Sequence, residues 1–168
     1  NAKVYFTPQS LSLNVTAKRN RNVNVSRPQN NINSQEIISR DFTTSRGFSF
    51  VWKITEGGLF NISTNYNVNI NSSLAFLETN AAGKQRSEGE IWREIFSGTF
   101  FGKDYQYQQS IDFRTAPRLP TLWDINKYFT VSGGYSANYQ WSNDFRQEVL
   151  GRGASYASKV SATLTLKL

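Results

Sequence analysis

The 168-residue chain contains no cysteine, no methionine and no histidine. Without cysteine there is no disulfide framework and no thiolate site. Without cysteine or histidine, zinc, haem and iron–sulfur sites lose their usual ligands, and no cofactor is expected. Histidine-based triads and cysteine nucleophiles are excluded in their common forms, so the chain is not read as an enzyme. There are only 4 prolines, and no stretch approaches the roughly 18 uninterrupted apolar residues of a membrane helix. The hydrophobic fraction is low at 38%, while aromatics reach 14% and mean hydropathy is −0.52. That pairing suits a surface apolar on one side and wet on the other, and it argues against disorder.

The net charge is +7. Lys and Arg are scattered along strands and turns, with no dense cluster interleaved with base-stacking aromatics, so no nucleic-acid partner is expected.

Alternation is what the chain has in abundance. In the run 129–141, Phe129, Val131, Gly133, Tyr135, Ala137, Tyr139 and Trp141 share one face, and Thr130, Ser132, Gly134, Ser136, Asn138 and Gln140 share the other. Ordinary strands run about 5–6 residues. A strand that crosses a bilayer at a tilt needs roughly 9–11, an apolar face toward lipid, and aromatics near both ends. Six more segments alternate: 11–18, 22–26, 48–55, 60–70, 105–113 and 155–167. Their second face is mostly Asn, Ser, Thr, Gln or Lys. The expected fold is therefore all-β, an antiparallel transmembrane β-barrel segment with a polar lumen face. The residues expected to face lipid are Phe129, Val131, Tyr135, Tyr139, Trp141, Tyr156, Val160, Leu164 and Leu166. Those expected to face the lumen are Asn61, Asn65, Asn67, Asn69, Gln106, Gln108, Ser136, Asn138, Gln140 and Lys159.

The connectors differ in kind. Gly57-Gly58 reads as a hairpin turn, and residues 26–41 read as a polar loop. Residues 78–104 read as a long excursion in which Ile91, Trp92, Ile95 and Phe96 mark one face of a short helix. Pro117 and Pro120 place 115–125 in a connector, with a helical turn over Thr121–Ile125. Gly133 and Gly134, mid-strand, mark a bulge, a bend or a close approach.

Glu88, Glu90 and Glu94 near Arg93 could form an acid–base pair, but a solvated helix face is the expected reading. Asp104 and Asp112 read the same way. The sequons at Asn14, Asn24, Asn61 and Asn71 are expected by chance on Asn-rich faces. Gly151-Arg-Gly153 lacks the spacing of a phosphate loop.

Three stretches, Asp41-Phe-Thr-Thr-Ser-Arg-Gly-Phe-Ser-Phe-Val-Trp-Lys-Ile-Thr-Glu-Gly-Gly-Leu-Phe-Asn-Ile-Ser-Thr-Asn-Tyr66, Phe113-Arg-Thr-Ala-Pro-Arg-Leu-Pro120 and Tyr135-Ser-Ala-Asn-Tyr-Gln-Trp141, resemble the SprA/Sov family. These are the outer-membrane translocons of the type IX secretion system of Bacteroidota, linked to gliding motility. The resemblance spans roughly 41–168 and is one of texture and order. It implies a very large single-chain barrel that exports folded cargo proteins. Its partners would be a PorV-type barrel, plug-like proteins, the secreted cargo and outer-membrane lipid, in the bacterial outer membrane. It brings no catalytic residues.

An odd count of seven segments, and an end at Leu166-Lys-Leu168 without a terminal aromatic, lead to the expectation that residues 1–168 are part of one longer barrel chain. A leader is expected to have been removed or to lie outside this stretch. Two alternatives stand beside it. One is a small closed eight-stranded barrel, an adhesin or structural protein, with an extra strand at Val4–Phe6. The other is a soluble β-sandwich that binds carbohydrate through exposed Trp and Tyr.

Overall fold

The alternating segments pair into one seven-stranded, mostly antiparallel sheet in a computed structural model that describes residues 2–26, 35–80, 82, 84–98, 100–119, 121, 124–143 and 152–167. The strands are β1 (Lys3–Val4), β2 (Ser10–Ser26), β3 (Gln35–Glu56), β4 (Phe60–Ser73), β5 (Lys103–Pro117), β6 (Phe129–Asn143) and β7 (Arg152–Leu166). Two helices, α1 (Glu88–Phe96) and α2 (Ile125–Tyr128), and a 3-10 turn at Ala75–Leu77 lie in the connectors. The sheet order is β1-β3-β4-β5-β6-β7, and β2 also pairs with β3. Since β4 takes the other edge of β3, β1 and β2 follow one another along a single edge. No helix of the described residues is long and apolar enough to cross a membrane, which says nothing about strands.

Several expectations are corrected. The segments 11–18 and 22–26 form one strand, because Lys18-Arg-Asn-Arg-Asn22 stays in β2 and pairing with β3 outweighs its weak intrinsic preference. Residues 35–41, expected as loop, open β3, while 27–34 lie outside the described residues. The strand expected at Val4–Phe6 shrinks to Lys3–Val4. Pro117 is the last residue of β5 rather than part of the connector. At a strand's end its missing N–H costs the ladder little. A helical turn forms at Ile125–Tyr128, after Asp124 in the left-handed region at φ 56°, and the Asp124 N–H donates to Thr121 O at 3.1 Å, while 122 and 123 lie outside the described residues. Pro120 lies outside the described residues.

The hairpin at Gly57-Gly58 forms as expected, with Gly57 at φ 75° and its N–H donating to Asn61 Oδ1 at 2.8 Å. β1 is strapped to the end of β3 beside this turn. Tyr5 N–H donates to Ile54 O at 2.9 Å, Tyr5 OH donates to Glu56 Oε2 at 2.8 Å, and Lys53 Nζ lies 2.7 Å from Glu56 Oε1. The bond from Lys53, and then that from Tyr5, hold the Glu56 carboxyl below its ordinary value.

The chain divides into two compact units. One is made of Asn1–Asn14, Gly47–Asn69 and Tyr107–Leu168, and the other of Val15–Arg46 and Ile70–Gln106. The second unit holds the buried core of Phe42, Leu74, Leu77, Ile91 and Ile95. In the first, Ala137 is the one buried apolar residue among those described.

A lowered carboxyl pKa stabilises the folded state above the ordinary carboxylate value of about 4.3, and that contribution is lost as pH falls through the folded value. Protection of the Tyr5 amide against exchange should therefore fall as the solution is acidified below pH ~4. Glu56→Gln should remove that pH dependence. Gly102, at φ 79°, leaves a Cβ only 2.4 Å from Ser73 O and 2.9 Å from Leu74 Cδ2. Gly102→Ala should cost about 2–4 kcal/mol in denaturant unfolding.

Candidate functional site

The first unit presents one continuous apolar face. β6 and β7 pair without interruption from Phe129↔Leu166 to Asn143↔Arg152. Directly paired residues point the same way. Val131↔Leu164, Tyr135↔Val160 and Tyr139↔Tyr156 therefore join Phe129, Leu166 and Trp141 on one face, which gathers all nine residues expected to face lipid. Ser136↔Lys159, Asn138↔Ala157 and Gln140↔Ser155 lie on the other. The register also rules out a bulge at Gly133-Gly134. These glycines admit close neighbours instead: a Cβ would meet Thr115 Cγ2 at 3.2 Å from Gly133 and Ser161 Oγ at 3.0 Å from Gly134.

Contacts carry this face across five strands. The Phe50 ring stacks on Tyr66 at 5.3 Å, and Phe48 meets Tyr66 edge-on at 6.3 Å. Gln109 Nε2 donates to Tyr66 OH, and Tyr107 OH donates to Gln109 Oε1, each at 3.0 Å. The Tyr107 ring then lies 5.9 Å from Tyr139 and 6.4 Å from Trp141. Tyr139 faces Tyr156, whose hydroxyl is 3.3 Å from that of Tyr135. The result is an aromatic row from β3 to β7, with the uncharged Gln109 side chain bridging Tyr66 and Tyr107. Single strands show which residues are aromatic but not which align, so Phe48, Phe50, Tyr66 and Gln109 were not legible as members of a row.

By the same alternation, this face carries no charged residue over 48–54, 60–68, 107–117, 129–141 and 154–166. Lys53, Asp112, Arg114 and Lys159 fall on the opposite face. Exposure is high on the apolar side, at 64% for Tyr156, 78% for Val160 and 65% for Leu164.

The lumen set is less gathered. Asn61 serves the Gly57 turn, and Asn65, Asn67 and Gln108 are exposed. In the second unit, Asn71 Nδ2 donates to Gln106 Oε1 at 3.0 Å. Asn69 has a partner as well.

In that second unit the connector is held to strands by arginines. Arg19 Nε and Nη2 donate to Glu78 Oε1 and Oε2 at 2.5 and 3.0 Å, and Nη1 donates to Glu88 Oε1 at 3.3 Å. Glu78 is buried at 3% exposure. Arg46 Nη2 donates to Asp104 Oδ1 at 2.5 Å and to Ser72 Oγ at 3.1 Å, and its guanidinium lies 4.3 Å from the centre of the Phe101 ring.

Helix α1 begins earlier than expected because Ser87 and Glu90 form a capping box. Its acids lie on the solvated side of the helix, as expected, and make local contacts there. Glu88 meets Arg19, Glu90 accepts from the Ser87 N–H, and Glu94 pairs with Arg86. The sequence signal for this was present in Ser87-x-x-Glu90.

Removing one partner of a buried ion pair strands the other charge. Arg19→Ala should therefore destabilise the second unit by about 2–4 kcal/mol. Trypsin cleavage at Lys84 and Arg86 should accelerate in step, as followed by mass spectrometry.

The chain matches no protein-family model, no curated protein and no solved structure.

Proposed function

We propose that the chain is a segment of the wall of a large outer-membrane β-barrel, and that the barrel exports folded proteins in the manner of the SprA/Sov translocons it resembles. One observation carries the membrane part of this reading. The first unit has a five-strand apolar face with no charged residue over 48–54, 60–68, 107–117, 129–141 and 154–166, crossed by an aromatic row, with almost nothing buried behind it among the described residues. A soluble sandwich covers such a face with a second sheet. Among the described residues the first unit has none, so lipid is the natural cover. From Phe129 to Trp141 the strand covers about 40 Å at ~3.3 Å per residue. At a tilt of about 40° this is about 30 Å along the membrane normal, close to the height of a barrel's apolar band.

The opposite face suits an aqueous lumen. Asn, Ser, Thr and Gln present hydrogen-bonding groups without large apolar patches, so a passing folded protein finds little to adhere to. The scattered Lys53, Arg114 and Lys159 would make the lining mildly cationic. The wall acts by geometry and performs no chemistry, and the export role rests on the resemblance. In this reading the wall's partners are the remaining strands of the barrel, a PorV-type barrel, plug-like proteins and cargo.

A lysine on the lipid face at mid-membrane costs about 2–4 kcal/mol, whereas one on the lumen face costs little. Val160→Lys should therefore abolish recovery in the outer-membrane fraction, and Thr163→Lys should leave it nearly unchanged. Equal recovery of both would refute a lipid-facing Val160. Because the chain has no cysteine, a dye on Val160→Cys can be placed uniquely. Its fluorescence should be quenched by lipids carrying a quencher in the acyl chain.

A further inference from the structure

The outer edge of β7 is an undefended pairing edge. All 15 residues of β7 pair with β6 on one side, and residues 153–167 are exposed throughout. Every second residue thus directs its N–H and C=O away from β6. An open edge of this kind is normally blunted by proline, bulges or charges. β7 has no proline, its register has no bulge, and between Arg152 and Lys167 its one charge is Lys159. On the β3 edge that β1 and β2 share, at the other side of the sheet, β2 carries Lys18, Arg19 and Arg21.

We infer that the outer edge of β7 binds a further antiparallel strand of the same barrel wall, about as long as β7, apolar beside Tyr156, Val160 and Leu164 and with an acidic or uncharged residue beside Lys159. This inference rests on the membrane reading above, since unpaired backbone groups are tolerated in water but not in hydrocarbon. Two other occupants fit poorly. A second β7, antiparallel and fully overlapped, sets Lys159 against Lys159, and like charges directly opposite are destabilising. Closure of the described strands onto the edge of β1 and β2 would make a barrel six strands wide, below the eight of the smallest bacterial barrels.

Amide exchange, resolved by residue in the membrane-embedded protein, tests the inference without any substitution. With both edges paired, successive β7 amides should all be protected to a similar degree. With a free edge, every second amide should exchange faster by on the order of 100-fold or more, which would overturn the proposal. Lipid quenching at Val160→Cys, measured alongside, separates the two readings. Quenching with alternating exchange would keep the membrane wall and refute the added strand. Uniform protection without quenching would leave the edge paired but refute the lipid-facing wall. Uniform protection together with a cross-link from Lys159 to a second copy's Lys159 would replace the proposed mate by a dimer, overturning the inference.

Discussion

Among the described residues, the apolar face of the first unit buries almost nothing behind it, and this constraint organises that unit. The hydrophobic effect rewards removal of that face from water at roughly 25 cal/mol per Å². Exposed Tyr156, Val160, Leu164 and Leu166 leave most of the reward uncollected by the chain itself. Backbone pairing holds the strands in register, and the register collects aromatics and aliphatics onto one side. The face is thus a product of alternation plus pairing, and its exposed apolar side chains are what the membrane proposal rests on.

The second unit solves the same problem internally. There the connector between β4 and β5 folds back, and Leu74, Leu77, Ile91 and Ile95 cover Phe42. Charge then fastens what apolar contact has placed: Arg19 reaches Glu78 and Glu88, while Arg46 reaches Asp104 and lies over Phe101. An outward aromatic stack remains on the connector, with Trp92, Phe96, Phe100 and Phe101 in successive contact at 6.1, 5.5 and 6.0 Å. The four apolar residues expected on one face of α1 are split: Ile91 and Ile95 are buried while Trp92 and Phe96 are exposed, because neighbours in sequence lie about 100° apart round a helix.

What was legible in the chain was whatever a single strand can report. The faces of β6 and β7 follow from period two, because alternation is local and tertiary pairing only reinforces it. The extents of β2 and β3 were not legible. Lys18-Arg-Asn-Arg-Asn22 and Gln35-Glu-Ile-Ile38 carry no alternating apolar set, and their extended state comes from partners far along the chain. The aromatic row was hidden for a related reason. It depends on the relative register of β4 and β5, which the long connector between them does not set. The start of α1 was legible in principle, since Ser87 and Glu90 stand at capping-box spacing.

The unbroken β6–β7 register has a consequence for how this hairpin goes wrong. A slide by one residue would turn every side chain of one strand to the wrong side and is strongly disfavoured. A slide by two would keep both faces intact, exchanging Ser for Thr and Val for Ala on each side. The alternation therefore leaves even-numbered slips nearly degenerate. What discriminates against them is the meeting of Tyr139 with Tyr156 and the seating of Gly134 beside Ser161. Those few positions act as a vernier, setting an alignment that the repeating pattern alone leaves open.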